Sequence, residues 1–346
     1  MVKKNKNKKL NFPSELRLDL ISNDWVVIAT GRSKRPEAFK GEKREKGKIS
    51  KKNCSFCQSG KIENPIAIYV SGEKIKGEKI PANWTTIVVP NKFPSFLPHS
   101  HLDEETEGNL YKKINAVGFC EVVLTRDHEK SLALLPINKV KEVIDSYQDR
   151  YLDLMDRKLV NYISIFHNHG LEAGASQPHP HSQIITTPLM DVDLQKSLSN
   201  SERYFKKGKK CIYCEMNDWE EKTKKRVVFE NKDFLAICPF ASKAAFEVII
   251  SPKHHLSNFE RITEQEKWSL AEAFQVVLKK LYKALNDPPY NFYLHAAPCD
   301  GKDYSYYHWH WTILPKTGIW AGFEIGTRME ISTIEPEKAA EYLRKQ

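Results

Sequence analysis

The segment Ser176-Gln177-Pro178-His179-Pro180-His181-Ser182-Gln183 sets two imidazoles and a carboxamide at alternate positions. In an extended chain residues i, i+2 and i+4 share a face, so His179, His181 and Gln183 are predicted to point the same way. Pro178 and Pro180 withdraw two backbone donors, which suits an edge or a strand start better than a central strand. Ala173, Gly174 and Ala175 precede them, and small residues let a ligand or phosphate come close to the backbone. Two imidazoles and an amide on one face can supply a nucleophile or base, a metal ligand and an anion contact. An incidental histidine cluster is the competing reading. The internal, proline-spaced position between apolar segments speaks against it.

Four of the seven cysteines form two Cys-x-x-Cys pairs, Cys54/Cys57 and Cys211/Cys214. An odd cysteine count with no secretion signal argues against a disulfide framework and points to metal binding or redox work. A structural zinc site takes four Cys or His ligands. The first half of the chain offers Cys54, Cys57, His128 and His179. The second offers Cys211, Cys214, His255 and His308, with His254 competing with His255.

These residues need elements to hold them. Leu16 to Thr30 reads as two strands around a Ser-Asn-Asp turn, and a compact basic turn, Gly31 to Pro36, follows. Thr86 to Asn91 reads as a strand ending at an asparagine, and Gly118 to His128 as another ending in a histidine. Ile137 to Tyr162 is helical in pattern, with Val140, Val143, Ile144, Tyr147, Tyr151 and Leu154 at spacings of three and four. Ile163 to Phe166 is a strand running into Asn168, and Leu189 to Tyr204 is a polar helical connector. The pattern then begins again. Cys211/Cys214 echoes Cys54/Cys57, and Phe246 to His255 echoes Cys120 to His128. Thr263 to Leu285 repeats the long helix, with Thr263 and Glu266 as a capping box. His308-Trp309-His310 echoes His179-Pro180-His181. One duplicated strand–helix–strand unit accounts for all of this. Ala321 to Arg328 reads as strand and loop, and Glu335 to Arg344 as an amphipathic helix.

Length and composition set the bounds. A chain of 346 residues can bury a sizeable core, as one large domain or two. No run approaches the ~20 apolar residues of a membrane helix, and no apolar stretch follows the basic N-terminus, so a cytoplasmic protein is expected. Much of the net charge of +10 sits in residues 3–9 and 40–52, which read as a solvated tail and loop. No aromatic-interleaved basic motif accompanies it, which argues against nucleic acid as a partner.

The stretch from Phe166-His167-Asn168-His169-Gly170 through Ser182-Gln183 resembles the active-site segment of the galactose-1-phosphate uridylyltransferases, the nucleotidyltransferase branch of the histidine-triad superfamily. Ser182 stands where that family usually has glycine, and the related plant-type adenylyltransferases acting on ADP-glucose tolerate serine there. The resemblance runs from about Arg17 to Arg344. It implies an α+β fold of two tandem histidine-triad-like halves, forming an extended antiparallel half-barrel sheet with helices packed on it. The division expected is a disordered basic tail over 1–14, an N-terminal half over 15–195 and a C-terminal half over 205–346. It implies zinc, one or two ions per chain, held by Cys54, Cys57, His128 and His179, and at a second site by Cys211, Cys214, His255 and His308, or, as in the many uridylyltransferases without the second Cys pair, by His295, His308 and His310 with a carboxylate, for which Asp191 and Asp193 are the nearest acids.

The resemblance further implies that His181 attacks the α-phosphorus of a nucleotide sugar and carries the nucleotidyl group to a second acceptor. Arg32, Arg35, Asn91, Asn168, Ser176 and Gln183 would bind the nucleotide and its phosphates, and Glu324 the hexose. Hydrolytic members of the superfamily have a third histidine where Gln183 stands, and glutamine there marks the transferases. The expected reaction moves UMP between UDP-glucose and galactose 1-phosphate. The alternatives are an AMP transferase or phosphorylase acting on ADP-glucose, and a zinc-scaffolded binding protein for nucleotide or RNA. Partners expected are a nucleotide sugar, a sugar 1-phosphate and a second copy of the chain, with no nucleic acid and no membrane.

Overall fold

The computed structural model describes residues 14–30, 35–41, 50–58, 62, 64–77 and 79–346. The expected basic tail lies outside these apart from Ser14, as do Arg32 and residues 42–49 of the lysine-rich loop. The chain opens with the hairpin β1 (Glu15–Leu18) and β2 (Trp25–Ile28), followed by β3 (Ala67–Val70), β4 (Glu73–Ile75) and β5 (Thr86–Pro90). A small hairpin, β6 (Glu104–Glu107) and β7 (Tyr111–Ile114), precedes β8 (Cys120–Thr125), α1 (Ile137–Met155), β9 (Tyr162–His169) and β10 (His181–Thr187). Helices α2 (Val192–Gly208) and α3 (Ile212–Thr223) lead into β11 (Val227–Glu230), β12 (Phe234–Ile237) and β13 (Val248–Pro252). Helix α4 (Glu264–Leu285), β14 (Tyr290–His295) and β15 (His310–Pro315) follow. The chain ends with α5 (Gly322–Thr327), β16 (Ile331–Ser332) and α6 (Pro336–Arg344).

Among the described residues an eleven-stranded antiparallel sheet, open at both edges, runs β11-β12-β13-β15-β14-β9-β10-β8-β5-β3-β4. The order is symmetric about the β14–β9 pair. On one side β8-α1-β9-β10 supplies three strands and a long helix, and on the other β13-α4-β14-β15 supplies the same set. This is the α+β architecture of two repeated units in one extended sheet.

Alternation sorts the two faces. Ile184 is fully buried in the main core with Val140, Val143, Ile144 and Tyr147 of α1, and with Phe274, Val277 and Leu278 of α4. The even-numbered residues of β10 therefore face the helices, and His181, Gln183 and Ile185 face the other way. Helix α1 is pinned as well as packed. Buried Glu142 accepts from the hydroxyls of Thr86 (2.6 Å) and Thr85 (2.8 Å), and buried Arg150 makes a bidentate pair with Glu121 on β8 at 2.7 and 2.8 Å. At Gly118, just before β8, an added Cβ would lie 2.1 Å from the carbonyl of Thr186, so the chains cross there at a distance only glycine permits.

Several elements differ from the sequence reading. Helix α1 stops at Met155, because Leu159 takes a left-handed turn (φ 64°) before β9 starts at Tyr162. Residues Gly322–Thr327 are helical instead of strand and loop: the Glu324 carboxylate accepts from the Ala321 backbone N–H (3.1 Å) at the start, and left-handed Arg328 ends the turn. Cys211 opens helix α3, so the second Cys pair sits on a helix N-terminus and not in a loop knuckle. The capping box at Thr263 and Glu266 forms as read.

Candidate active site and metal clusters

Two four-residue clusters bring together the paired cysteines and distant histidines. Ligand atoms of Cys54, Cys57, His128 and His179 all lie within 4.8 Å of one another, as do those of Cys211, Cys214, His255 and His308. Among the described residues the set of His295, His308 and His310 with a carboxylate does not converge as a cluster. His255, not His254, enters the second cluster, because the His254 ring turns to Glu266 on α4 at 3.0 Å. The histidine tautomers suit metal binding. His179 Nε2 donates to the Thr125 carbonyl (2.7 Å), which leaves Nδ1 toward Cys57 (3.4 Å). His308 Nε2 donates to the Pro252 carbonyl (2.9 Å) and His255 Nε2 to that of Ser305 (2.7 Å), with both Nδ1 atoms toward Cys214. A donated second nitrogen fixes ring orientation and raises ligand basicity. Two convergent Cys2His2 sets with oriented imidazoles fit a tetrahedral metal ion.

His181 begins β10 immediately after the first cluster. Its Nδ1 donates to the His179 carbonyl (2.9 Å), so in the neutral ring Nε2 carries the free lone pair. Burial holds its pKa below the ordinary histidine value, against the opposing pull of that hydrogen bond. The ring is kept neutral and nucleophilic near pH 7. Phe56, from the Cys54/Cys57 turn, meets both His179 (5.7 Å) and His181 (5.2 Å) edge-on. The Cys2His2 cluster and His181 are thus packed as one block.

The neighbouring residue Ser182 faces the helices. Its hydroxyl bonds to Tyr147 of α1 (2.6 Å) and to His167 Nδ1 on β9 (3.1 Å). On the face opposite the helices, Asn168 Oδ1 accepts from Asn291 Nδ2 on β14 (2.8 Å), and the same amide donates to the Ala173 carbonyl (2.8 Å). Asn291 thereby braces both Asn168 and the small-residue turn before the histidines. Gly170 (φ 89°) and Gly174 (φ 87°) give that turn its shape. Sequence reasoning missed Asn291, Phe56 and Tyr147, and only a pairing of β14 with β9 could have pointed to the first.

The remaining sequence-derived residues have local surroundings of their own, apart from one outside the described chain. Arg32 lies outside the described residues. Arg35 is exposed, at the start of a short turn (Pro36–Phe39) whose Phe39 ring packs on Phe246 at 5.3 Å. Asn286 donates to the Gly41 carbonyl (3.1 Å), which sets the end of this segment at the C-terminus of α4, four residues before β14 begins. Asn91 follows β5 and its side chain accepts from the Phe93 backbone (3.0 Å). Ser176 is exposed, Gln183 is half-buried beside His181, and Glu324 caps its own short helix.

The second half repeats this block at atomic detail. His310 Nδ1 donates to the His308 carbonyl (3.2 Å), and Tyr213 lies against His308 (5.9 Å) and His310 (5.2 Å), tilted at 31° and 38° where Phe56 stands edge-on to the first pair. Over His310 lies a cavity of about 620 Å3, with His295, Asp191, Asp193, Lys243 and Glu247 in its wall.

Family comparisons agree with this construction. Residues 4–190 match the model of the galactose-1-phosphate uridyl transferase N-terminal domain, and residues 197–345 match that of its C-terminal domain. The chain is 30% identical to the ADP-glucose phosphorylase of Arabidopsis thaliana, over 97% of this chain and 93% of that protein. It is 29% identical to the galactose-1-phosphate uridylyltransferase of Thermotoga maritima, over 96% of this chain and 98% of that protein. The crystal structure of an Arabidopsis thaliana ADP-glucose phosphorylase with bound ADP-glucose superposes with a TM-score of 0.76 at 26% identity, covering 96% of this chain and 99% of that one. The chain is an enzyme of the galactose-1-phosphate uridyl transferase family.

Proposed function

We propose that the protein is a nucleotidyltransferase that moves UMP between UDP-glucose and a hexose 1-phosphate, galactose 1-phosphate in the first instance, by ping-pong chemistry through His181. The observation that carries this reading is the His181 ring itself: buried, with Nδ1 committed to the His179 carbonyl and Nε2 left to attack. Attack of Nε2 on the α-phosphorus forms an N–P bond as the bond to the sugar 1-phosphate oxygen breaks. The acceptor phosphate then reverses the step and frees the imidazole. Phosphoryl transfer needs positioning and charge neutralisation. Arg32, Arg35, Asn91, Asn168, Ser176 and Gln183 are the residues proposed for those tasks, with Glu324 for the hexose hydroxyls.

Zinc is the ion proposed for both Cys2His2 sets, since tetrahedral sulfur–nitrogen ligation suits it. Bound there, it would brace the knuckle and the His179 end of β10. The halves are taken as 15–195 and 205–346, the working assembly as a homodimer, and the compartment as cytoplasmic, where reduced cysteines persist. A monomeric mass by light scattering at micromolar concentration would overturn the dimer.

A second reading, AMP transfer from ADP-glucose to phosphate or a sugar phosphate, is favoured by the 30% identity to an ADP-glucose phosphorylase and by Ser182 in the active segment. Exchange assays with His181→Gly separate enzyme from binder. The variant should lose exchange by about 10^4-fold or more, the scale of removing a covalent nucleophile, while its metal content stays that of the parent. Retained exchange would sink the His181 assignment.

A further inference from the structure

We propose that His99, His101 and Asp103 form a third metal site, on the surface and separate from both Cys2His2 clusters, that takes a divalent transition-metal ion. One ligand atom from each residue lies within 4.8 Å of the others, and all three side chains are exposed. The set is two imidazoles and one carboxylate, an open donor group that suits Zn2+, Co2+, Ni2+ or Cu2+ and leaves positions for water. His101 Nε2 already lies 2.9 Å from Asp103 Oδ1, and the two histidine rings approach to 4.3 Å.

The loop is held in this shape by its neighbours. Asn115, just after β7, accepts from the Asp103 backbone (2.7 Å) and donates to Asp103 Oδ2 (3.1 Å) and to the His101 carbonyl (3.3 Å). Below it, Leu97 N–H donates to the Ala116 carbonyl and Gly118 N–H to that of Leu97, both at 3.0 Å, which closes the base of the β6–β7 excursion. A metal would therefore find its ligands already gathered, at the cost of the His101–Asp103 contact. The cluster contains no cysteine, so the site selects by imidazole and carboxylate chemistry, unlike the two clusters inside the fold.

The test is Co2+ titration of metal-free full-length protein, followed by absorbance and by bound metal per chain. The parent should bind one more equivalent than His99→Ala/His101→Ala. That extra equivalent should show weak ligand-field bands and no thiolate charge transfer. Asp103→Asn, which keeps the side-chain shape, should also lose the extra equivalent. Thiolate bands and nucleotidyl exchange should be the same in all three proteins. Equal stoichiometry in parent and double variant would overturn the site. So would an extra equivalent with thiolate bands. Because the readout is a difference at residues outside the proposed reaction, it stands or falls apart from the assignment of His181.

Discussion

At the scale of single residues, His181, the proposed nucleophile, depends on the side chain next to it. Ser182 occupies the helix face of β10 and ties Tyr147 and His167 to the strand that carries His181. Ser182→Ala leaves the buried Tyr147 hydroxyl without that partner. The loss should be about 1–3 kcal/mol, the cost of an unsatisfied buried hydroxyl, read as a lower urea midpoint with unchanged slope. Turnover should fall more than substrate affinity, because the displaced group is His181. An unchanged midpoint would show that the hydroxyl network does not hold β10.

Glu247 gives a second residue-scale prediction. It is buried in the wall of the cavity over His310, and burial pushes its carboxyl up from 4.5 to about 7, against the attraction of Lys243. The folded state therefore binds more protons than the unfolded chain between those values. That stability is full below about pH 4.5 and is lost as pH rises toward 7, amounting to at most about 3 kcal/mol. Glu247→Gln should flatten this part of the stability–pH curve, and an identical slope in the variant would contradict the assignment. At this scale the sequence was most legible where chemistry is local. His179, His181 and the Cys pairs show themselves by spacing. Asn291, Phe56 and Tyr147 do not, because each meets the active segment through strand or helix packing across long stretches of chain.

At the scale of elements, the long helices and the opening hairpin were legible and the exposed hairpin β6–β7 was not. The buried stripe of α1 is the set of residues spaced by three and four, and α4 begins at the capping box read from Thr263 and Glu266. By contrast β6 and β7, Glu104–Glu107 and Tyr111–Ile114, are exposed at every position, so no apolar alternation marked them. Their pairing rests on backbone bonds and on charge pairs such as Lys112–Glu104. Gly118 is the element-scale constraint that a sequence alone does not reveal. Gly118→Ala would drive a Cβ into the Thr186 carbonyl at the end of β10, and neither backbone can retreat cheaply. A loss of about 2–4 kcal/mol or failure to fold is expected, measured by thermal or urea unfolding. A neutral substitution would mean that the β8–β10 crossing is looser than this geometry.

At the scale of the whole molecule, the sheet is a duplicated unit that has diverged in chemistry. Both halves keep the Cys2His2 cluster, the imidazole bonded to the carbonyl two residues back, and an aromatic ring against it. The first sets its histidine on the strand face it shares with Gln183, next to the glycine-shaped turn, whereas the cavity over the second's histidine is lined by Asp191, Asp193, Glu247 and Lys243. The ends of the chain lock the second half: Arg17 of β1 and Arg226 both bond Glu337 of α6, at 2.9 and 2.6 Å, and β16 pairs with β2. The duplication could be read from repeated motifs, but that the first hairpin β1–β2 closes over the second half could not, since no local pattern encodes it.

The measurement that tests the central claim most directly is intact mass spectrometry of the metal-loaded protein after brief incubation with UDP-glucose or with ADP-glucose alone, followed by peptide mapping. The account predicts a UMP adduct on His181 with UDP-glucose. An AMP adduct on His181 with ADP-glucose would keep the nucleophile and transfer the function to the second reading. No adduct with either nucleotide sugar, or an adduct on any other residue, would contradict covalent transfer through His181.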